Sequence, residues 1–263
     1  MIFKSFFDGG NQADSREYDV LSLATVSGKT DQWKRFENDW NEFLRIQDAP
    51  PLHTTDAVTG NGEFSRTKGW NKDRRELFLS ECVDVIEKHL IRPPGKRHGL
   101  IPYVFSLVLK DFVEFSAANP DLISNDASEV CSTQAVTRVV LQGRKIGANF
   151  FHLVFDQNEP FIKHVRQRQR NKVAQRFLEP VTERITSVTE SDMRVTPALQ
   201  LADIFAWSYS HKLRPKKYPW QDRLLAHRAW TDDWYDKAKL QAMVDPEHFP
   251  EVKKWNLKRK PTR

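Results

Sequence analysis

This chain of 263 residues has only two cysteines and no apolar run near twenty residues. Cys82 and Cys131 lack any Cys-x-x-Cys spacing, so we predict two buried thiols and neither a disulfide nor a zinc site. The missing apolar run excludes a membrane-spanning helix. Lys4 and Asp8 come too early for a secretory signal peptide, which favours a cytoplasmic location.

Three catalytic motifs are also missing. The sequence contains no glycine-rich phosphate-binding loop, no Gly-x-Ser-x-Gly turn and no His-Glu-x-x-His segment. Nucleotide hydrolysis by a P-loop, hydrolysis by a serine nucleophile and zinc proteolysis therefore lack their sequence signatures. The candidates that remain are among the acidic and basic residues.

The basic residues are unevenly distributed along the chain. The formal net charge is +6, from 41 Lys and Arg against 35 Asp and Glu. Two blocks, residues 163–176 and 253–263, each hold six Lys or Arg and no acid. These blocks predict contact with a polyanion, whereas a solvated helix face and a frayed tail are the plainer alternatives.

The hydrophobic pattern predicts an α/β fold. The run IFKSFF predicts a first strand that ends at Asp8, and NFFHLVFD predicts a later strand that ends at Asp156. A helix is predicted from Thr196, an N-cap residue, followed by proline at the first helical position. Further strands are predicted over 17–28, 100–109 and 184–191, and further helices over 30–47, 74–91, 128–144 and from residue 160.

This order of elements predicts a mixed sheet flanked by helices. Residues 1–212 form the predicted domain, with a helical and loop insertion at about 50–98. Residues 213–263 are predicted to form a helical C-terminal extension that ends in the basic tail. The insertion includes a loop at 52–71, rich in Gly, Thr and Asn, and loops of this length are often functional.

Three aspartates stand where an acid is unexpected. Asp8 and Asp156 each close an apolar strand, and Asp203 is the one charged residue in PALQLADIFAW. A buried carboxylate is hydrogen-bonded, protonated or close to a cation, because leaving it unpaired is costly. Mg²⁺ and Mn²⁺ take oxygen ligands, so the three acids together predict a site for either ion. For Asp203 alone, capping of a neighbouring loop is the plainer alternative.

These pieces and their order resemble the domain of unknown function 3800 family, which belongs to the ribonuclease-H-like superfamily. The match depends on Asp-Gly-Gly after the first strand, on VFD at Asp156, and on LQLADIFAW, which carries the family's Gln-x-x-Asp signature as Gln200 and Asp203. It spans residues 1 to about 212. The resemblance implies a ribonuclease-H-like fold and a Mg²⁺- or Mn²⁺-dependent nuclease. In it, the acids Asp8, Asp156 and Asp203 bind metal and Gln200 orients the substrate or a ligand.

The first strand departs from the family pattern. The family usually has an Asp-Glu pair there, and in this chain the second position is Gly9. One metal instead of two, a substituted ligand and an inactive member are the open explanations. LHTTD resembles the family's His-containing segment, so His53 is a candidate catalytic residue and Asp56 a candidate metal ligand. For His53, a loop histidine hydrogen-bonded to the backbone is the alternative.

Six basic residues are candidates for binding the phosphate backbone of nucleic acid. Three recur at helical spacing after Asp156 and three lie in the tail: Lys163, Arg166, Arg170, Lys258, Arg259 and Lys260. The alternative function is a catalytically silent protein with the same fold that binds nucleic acid or acts as a scaffold. A third hypothesis is a purely structural metal. The sequence does not distinguish DNA from RNA as the substrate.

Overall fold

The computed structural model describes residues 1–10, 20–90, 99–157, 159–170, 183–226 and 231–242. In this part of the chain six strands form one mixed sheet. They are β1 (Ile2–Gly10), β2 (Val20–Lys29), β3 (Ile101–Val108), β4 (Phe150–Asp156), β5 (Ile185–Ser191) and β6 (Thr231–Tyr235). The first five confirm the strands predicted from the hydrophobic pattern.

The strand order brings the ends of β1 and β4 together. The order is β5-β4-β1-β2-β3-β6, in which β1, β2 and β3 form an antiparallel meander. β4 runs parallel to β1, and β5 runs parallel to β4. Phe7 is paired with Phe155, so the residues that follow them, Asp8 and Asp156, are neighbours at one end of the sheet. Both point to the same face because side chains alternate along each strand.

Helices cover both faces of this sheet in the described ranges. They are α1 (Thr30–Ile46), α2 (Thr54–Thr59), α3 (Lys72–His89), α4 (Leu109–Ala118), α5 (Ala127–Lys145), α6 (Pro160–Arg170), α7 (Pro197–Ser210), α8 (Pro219–Ala226) and α9 (Lys237–Ala242). The predicted loop at 52–71 instead contains α2 and two 3₁₀ turns, Gly62–Phe64 and Arg66–Lys68. None of the described helices has the length and apolar character needed to cross a membrane.

The sheet separates two hydrophobic cores. On one face, α1, α3, α7 and α8 pack against strand residues that include Phe6 and Val26. On the other, α4, α5, α6 and α9 pack against strand residues that include Phe7 and Leu23. Asp8 is two residues beyond Phe6 and therefore points to the face that α7 covers.

α7 is the central helix of the fold. Pro197 occupies its first turn, where a missing N–H is tolerated, and all residues from 198 to 210 are buried. The helix packs on β1 and β2 and also meets α1 and α8. Gly10 permits this close approach, since a Cβ atom there would lie 2.5 Å from the carbonyl oxygen of Ala206. Asp203 is thereby brought into the core beside β1.

The segment after residue 212 is not wholly helical, and the prediction of a helical extension was incomplete. β6 joins the sheet edge parallel to β3. Asp233 of β6 accepts a hydrogen bond of 2.7 Å from the Tyr103 hydroxyl group and two from the Arg138 guanidinium group that approach its Oδ2 at 2.9 and 3.1 Å. The sequence TDDWY is short and acidic, so its pattern does not indicate a strand. Pairing with β3 and with Arg138 determines its conformation.

Candidate functional site

One cavity collects the predicted aspartates. It has a volume of about 510 Å³ and lies where β1 and β4 end, beside α7. Asp8, Asp156 and Asp203 all line it, and His53 lines it from the segment before α2. The fold therefore brings together four candidate residues that are far apart in the sequence.

Asp8 is at the centre of the acidic group. It is 3% exposed, and the carboxyl groups of Asp203, Glu159 and Asp156 are near enough to act on its charge. Burial raises the pKa of Asp8 well above its ordinary value, and the negative charges of Asp203, Glu159 and Asp156 raise it further. Both effects favour the protonated form of Asp8.

Glu159 is a fourth acid that was not predicted. It precedes α6, three residues after Asp156, and the backbone N–H of Gly9 donates a hydrogen bond of 3.4 Å to its Oε1 atom. Its carboxyl group thus lies against Gly9 at the end of β1. The spacing Asp-x-x-Glu between a strand and a helix is the signal that was available in the sequence.

Asp156 is half-buried at the end of β4. Its Oδ1 atom accepts a hydrogen bond of 3.0 Å from the backbone N–H of Met193, in the 3₁₀ turn Met193–Val195. Burial raises the pKa of Asp156, while this hydrogen bond and one from the backbone of Gln157 favour its charged form. Asp156 is the most exposed of the three predicted aspartates, and these two hydrogen bonds oppose the effect of burial on its charge.

Gln200 and Asp203, one turn apart in α7, clamp the segment 52–54. The Oε1 atom of Gln200 accepts a hydrogen bond of 2.9 Å from the backbone N–H of Leu52. The Oδ2 atom of Asp203 accepts one of 2.6 Å from the backbone N–H of Thr54. The plainer alternative for Asp203, a cap on a neighbouring loop, is therefore correct, and Asp203 lines the cavity as well.

Gln200 acts on the site through the segments that it holds. Its side chain is 1% exposed, and its Oε1 atom also accepts a hydrogen bond of 2.8 Å from the indole N–H of Trp40. Its amide Nε2 donates to the carbonyl oxygen of Met193 at 3.0 Å. These bonds occupy the amide with protein partners, so Gln200 positions His53 and the turn that binds Asp156.

His53 lies between two carboxylates. Its Nδ1 atom is 3.0 Å from Oδ2 of Asp56, and its charge lowers the pKa of Asp203, opposing the effect of burial. Asp56 lines a second cavity of about 400 Å³, which shares His53 and Asp156 with the first. The structure thus pairs the predicted metal ligand Asp56 with the predicted catalytic histidine. A carboxylate at Nδ1 directs the Nε2 atom to proton exchange.

The three predicted phosphate-binding residues that the structure describes, Lys163, Arg166 and Arg170, are not among the residues that line the cavity. Lys163 and Arg170 are exposed on α6, and Arg166 forms an ion pair of 3.1 Å with Glu190. α6 packs through Phe161 and Val165 on the sheet face opposite to α7. Lys258, Arg259 and Lys260 fall outside the described residues.

Five aromatic or basic residues of the cavity come from α7 and the segment after it, and none of them was predicted. They are Trp207, His211, Arg214, Lys216 and Tyr218. The sequence after α7 lacks a clear period, which conceals their common orientation. The basic run RPKK beside a tyrosine was the available signal.

Replacing Gln200 by alanine is expected to lower the free energy of unfolding by about 2–4 kcal/mol, because each buried polar group left unpaired costs about 1–3 kcal/mol. Chemical denaturation measures this loss. Amide hydrogen exchange should accelerate at Leu52, whose N–H loses its acceptor, and less at Thr54, whose N–H keeps Asp203. Gln221→Ala, which truncates another buried glutamine, should leave exchange at those two amides unchanged. Unchanged exchange in both variants would contradict the clamp.

Asp8→Asn is expected to raise the melting temperature at pH 7–8 in EDTA by a few degrees. The raised pKa of Asp8 means that the folded chain binds a proton which the unfolded chain releases, so stability falls as pH rises through the folded pKa. Below about pH 3.9, the ordinary pKa of aspartate, the difference from the wild type should vanish. The exposed control Asp222→Asn should show no such pH-dependent gain. A lower melting temperature for Asp8→Asn at every pH would refute the repulsion.

Comparison with known proteins gives no family assignment. No family model matches the chain, and no curated protein sequence matches it. The evidence for the site is its own geometry. This comprises the four acids, the His53–Asp56 pair and the clamp formed by Gln200 and Asp203.

Proposed function

We propose that the chain is a divalent-metal-dependent nuclease of ribonuclease-H-like fold, which hydrolyses phosphodiester bonds in the 510 Å³ cavity. One observation carries the proposal: Asp8 and Asp203 are buried together beside two further acids. Buried like charges destabilise a fold, so such a group indicates a functional site. The resemblance in the sequence supplies the reaction class.

The donor chemistry fits Mg²⁺ or Mn²⁺. Asp8, Asp156, Asp203 and Glu159 offer only carboxylate oxygens, which are the ligands that these cations take. Among the described residues no set of three or more His, Cys, Asp or Glu is arranged to hold an ion as it stands. A divalent cation, when bound, supplies activation of water and neutralisation of the phosphate charge. The four acids would hold it.

Glu159 supports a substituted ligand as the explanation of Gly9. Its carboxyl group accepts a hydrogen bond from the Gly9 N–H, and its negative charge helps to raise the pKa of Asp8. Glu159, just before α6, therefore places a carboxyl group beside Gly9, the position at which the family has an acid in its first strand. On this basis Gly9 is compatible with an active enzyme.

Asp56 and His53 would manage protons at the site. The Asp56 carboxylate lies 3.0 Å from Nδ1 of His53, where it would favour a proton on Nδ1 and so orient the ring, as carboxylates do beside catalytic histidines. The Nε2 atom of His53 would then accept or deliver the proton at the reacting phosphate. We assign Asp56 to this orienting role and the metal to the four cavity acids.

Cleavage tests the proposal directly. Labelled single-stranded, double-stranded and hybrid nucleic acids are incubated with Mn²⁺ or with EDTA. The wild type should cut with Mn²⁺ alone. Asp203→Asn and Glu159→Gln should each lose at least about 100-fold in rate, since even partners outside a ligand shell contribute about 10–100-fold. Asp222→Asn is the matched surface control.

Metal binding has a separate readout. Mn²⁺ should raise the melting temperature of the wild type and of Asp222→Asn, and should raise that of Asp203→Asn less. Metal-dependent cutting by Glu159→Gln at the wild-type rate would remove Glu159 from the site. No cutting on any substrate, with salt-sensitive binding retained, would favour the catalytically silent binding protein instead.

The basic tail gives a further prediction. Deleting residues 253–263 should weaken binding to nucleic acid and flatten its salt dependence, because removing one phosphate-binding cation reduces the slope of log K against log salt by about 0.7–0.9. The variant Lys163→Ala/Arg170→Ala tests α6 in the same assay. An unchanged slope would exclude the deleted or substituted residues from the interface.

A further inference from the structure

The cavity has a second wall, opposite in character to the acids. Trp207, His211, Arg214, Lys216 and Tyr218 form it, and we call these five residues the basic-aromatic wall. They come from the end of α7 and from the segment that joins it to α8. Acids and cations therefore line one cavity from different elements.

The aromatic rings of this wall are fixed by packing. Trp207 stacks on His211, with ring centroids 4.0 Å apart and planes inclined by 14°. Tyr218 packs edge-on against Trp207 at 5.8 Å and lies 5.8 Å from Trp220. Trp207 and Trp220 are buried, whereas Tyr218 and His211 remain partly exposed. A rigid, partly exposed ring supported from behind is suited to stacking against a flat ligand.

The cations of the wall lie next to these rings. The Lys216 ammonium group is exposed and lies 4.9 Å from the centroid of the Tyr218 ring. Arg214 is half-buried, and its charge adds to the effect of burial in lowering the pKa of His211 to about 4. His211 is therefore neutral at pH 7 and presents an uncharged ring. The positive charge of the wall comes from Lys216 and Arg214.

We propose that the basic-aromatic wall binds a nucleotide of single-stranded nucleic acid next to the cleaved bond. Lys216 and Arg214 contact its phosphate and Tyr218 stacks on its base. This inference rests on the proposed function and adds the substrate class. Bases in a duplex are stacked on one another and offer no face to a side chain, so a stacking ring selects a single strand.

The size and charge of the cavity agree with this ligand. Its volume of about 510 Å³ lies within the roughly 300–1,000 Å³ that is typical of pockets for small organic ligands. A mononucleotide is a ligand of this class. A phosphate beside four acids is repelled unless cations face it. Lys216 and Arg214 provide that balance from the protein itself.

Two adjacent lysines give a matched test. Lys216 lines the cavity, whereas Lys217 is exposed, bonds to the carbonyl oxygen of Lys212 and is not among the described residues that line it. Binding of a short fluorescein-labelled single strand is measured by anisotropy over a range of salt concentrations in EDTA, which prevents cleavage. Lys216→Ala should weaken binding and reduce the slope of log K against log salt by about 0.7. Lys217→Ala should match the wild type.

Tyr218 tests the stacking contact. Tyr218→Ala should weaken single-strand binding about fivefold or more, and Tyr218→Phe, which keeps the ring, should not. The melting temperature of each variant identifies loss of fold, and the lysine pair is informative even if Tyr218→Ala unfolds. The wild type should bind the single strand more tightly than a duplex of the same length.

Equal effects of Lys216→Ala and Lys217→Ala, or tighter binding of the duplex, would overturn the inference. If the wild type cleaves in Mn²⁺ but Lys216→Ala and Lys217→Ala weaken binding equally, the nuclease proposal stands and the nucleotide subsite is rejected. If Lys216→Ala alone weakens binding and no substrate is cleaved, the binding role of the basic-aromatic wall stands and the nuclease proposal is rejected.

Discussion

The site depends on the clamp by which Gln200 and Asp203 hold the backbone of Leu52 and Thr54. In an extended segment, alternate N–H groups point the same way, so two acceptors one helical turn apart can hold residues on either side of His53. The clamp places His53 at the cavity through the backbone of its two neighbours, and neither Gln200 nor Asp203 needs to bind the imidazole ring for this. Buried hydrogen bonds of this kind are stringent, because removal of one partner leaves a desolvated polar group.

The acidic group opposes stability and the rest of the fold compensates. Burial and neighbouring charges raise the pKa of Asp8, which means that its charged form is disfavoured in the folded chain. The two cores on either side of the sheet, with aromatic contacts such as Trp40 on Phe36, stabilise the elements that hold the acids in place. Sites arranged for charge often carry such a cost, because the chemistry needs groups that a purely structural core would avoid.

The cavity combines two signs of charge from distant parts of the chain. Acids arrive from β1, β4, α7 and the residue before α6, and cations from the connection between α7 and α8. A phosphodiester is an anion whose reaction needs a cation nearby, and its bases have flat apolar faces. The paired walls match both properties, which connects the reaction proposed for the acids with the ligand inferred for the aromatic side.

The sequence by itself determined the elements whose period is clear. Apolar runs predicted β1 and β4, helical spacing predicted α1, and an N-cap followed by proline predicted the start of α7. Acids at two strand ends and one acid in an apolar helix predicted that Asp8, Asp156 and Asp203 would meet. Only the tertiary structure decided the partners of Glu159, the clamp of Gln200 and the pairing of β6, because each is an interaction between residues distant in the chain. The hydrophobic pattern of a segment predicts which of its faces is buried. The residues that contact this face are determined by packing between segments that are distant in the sequence.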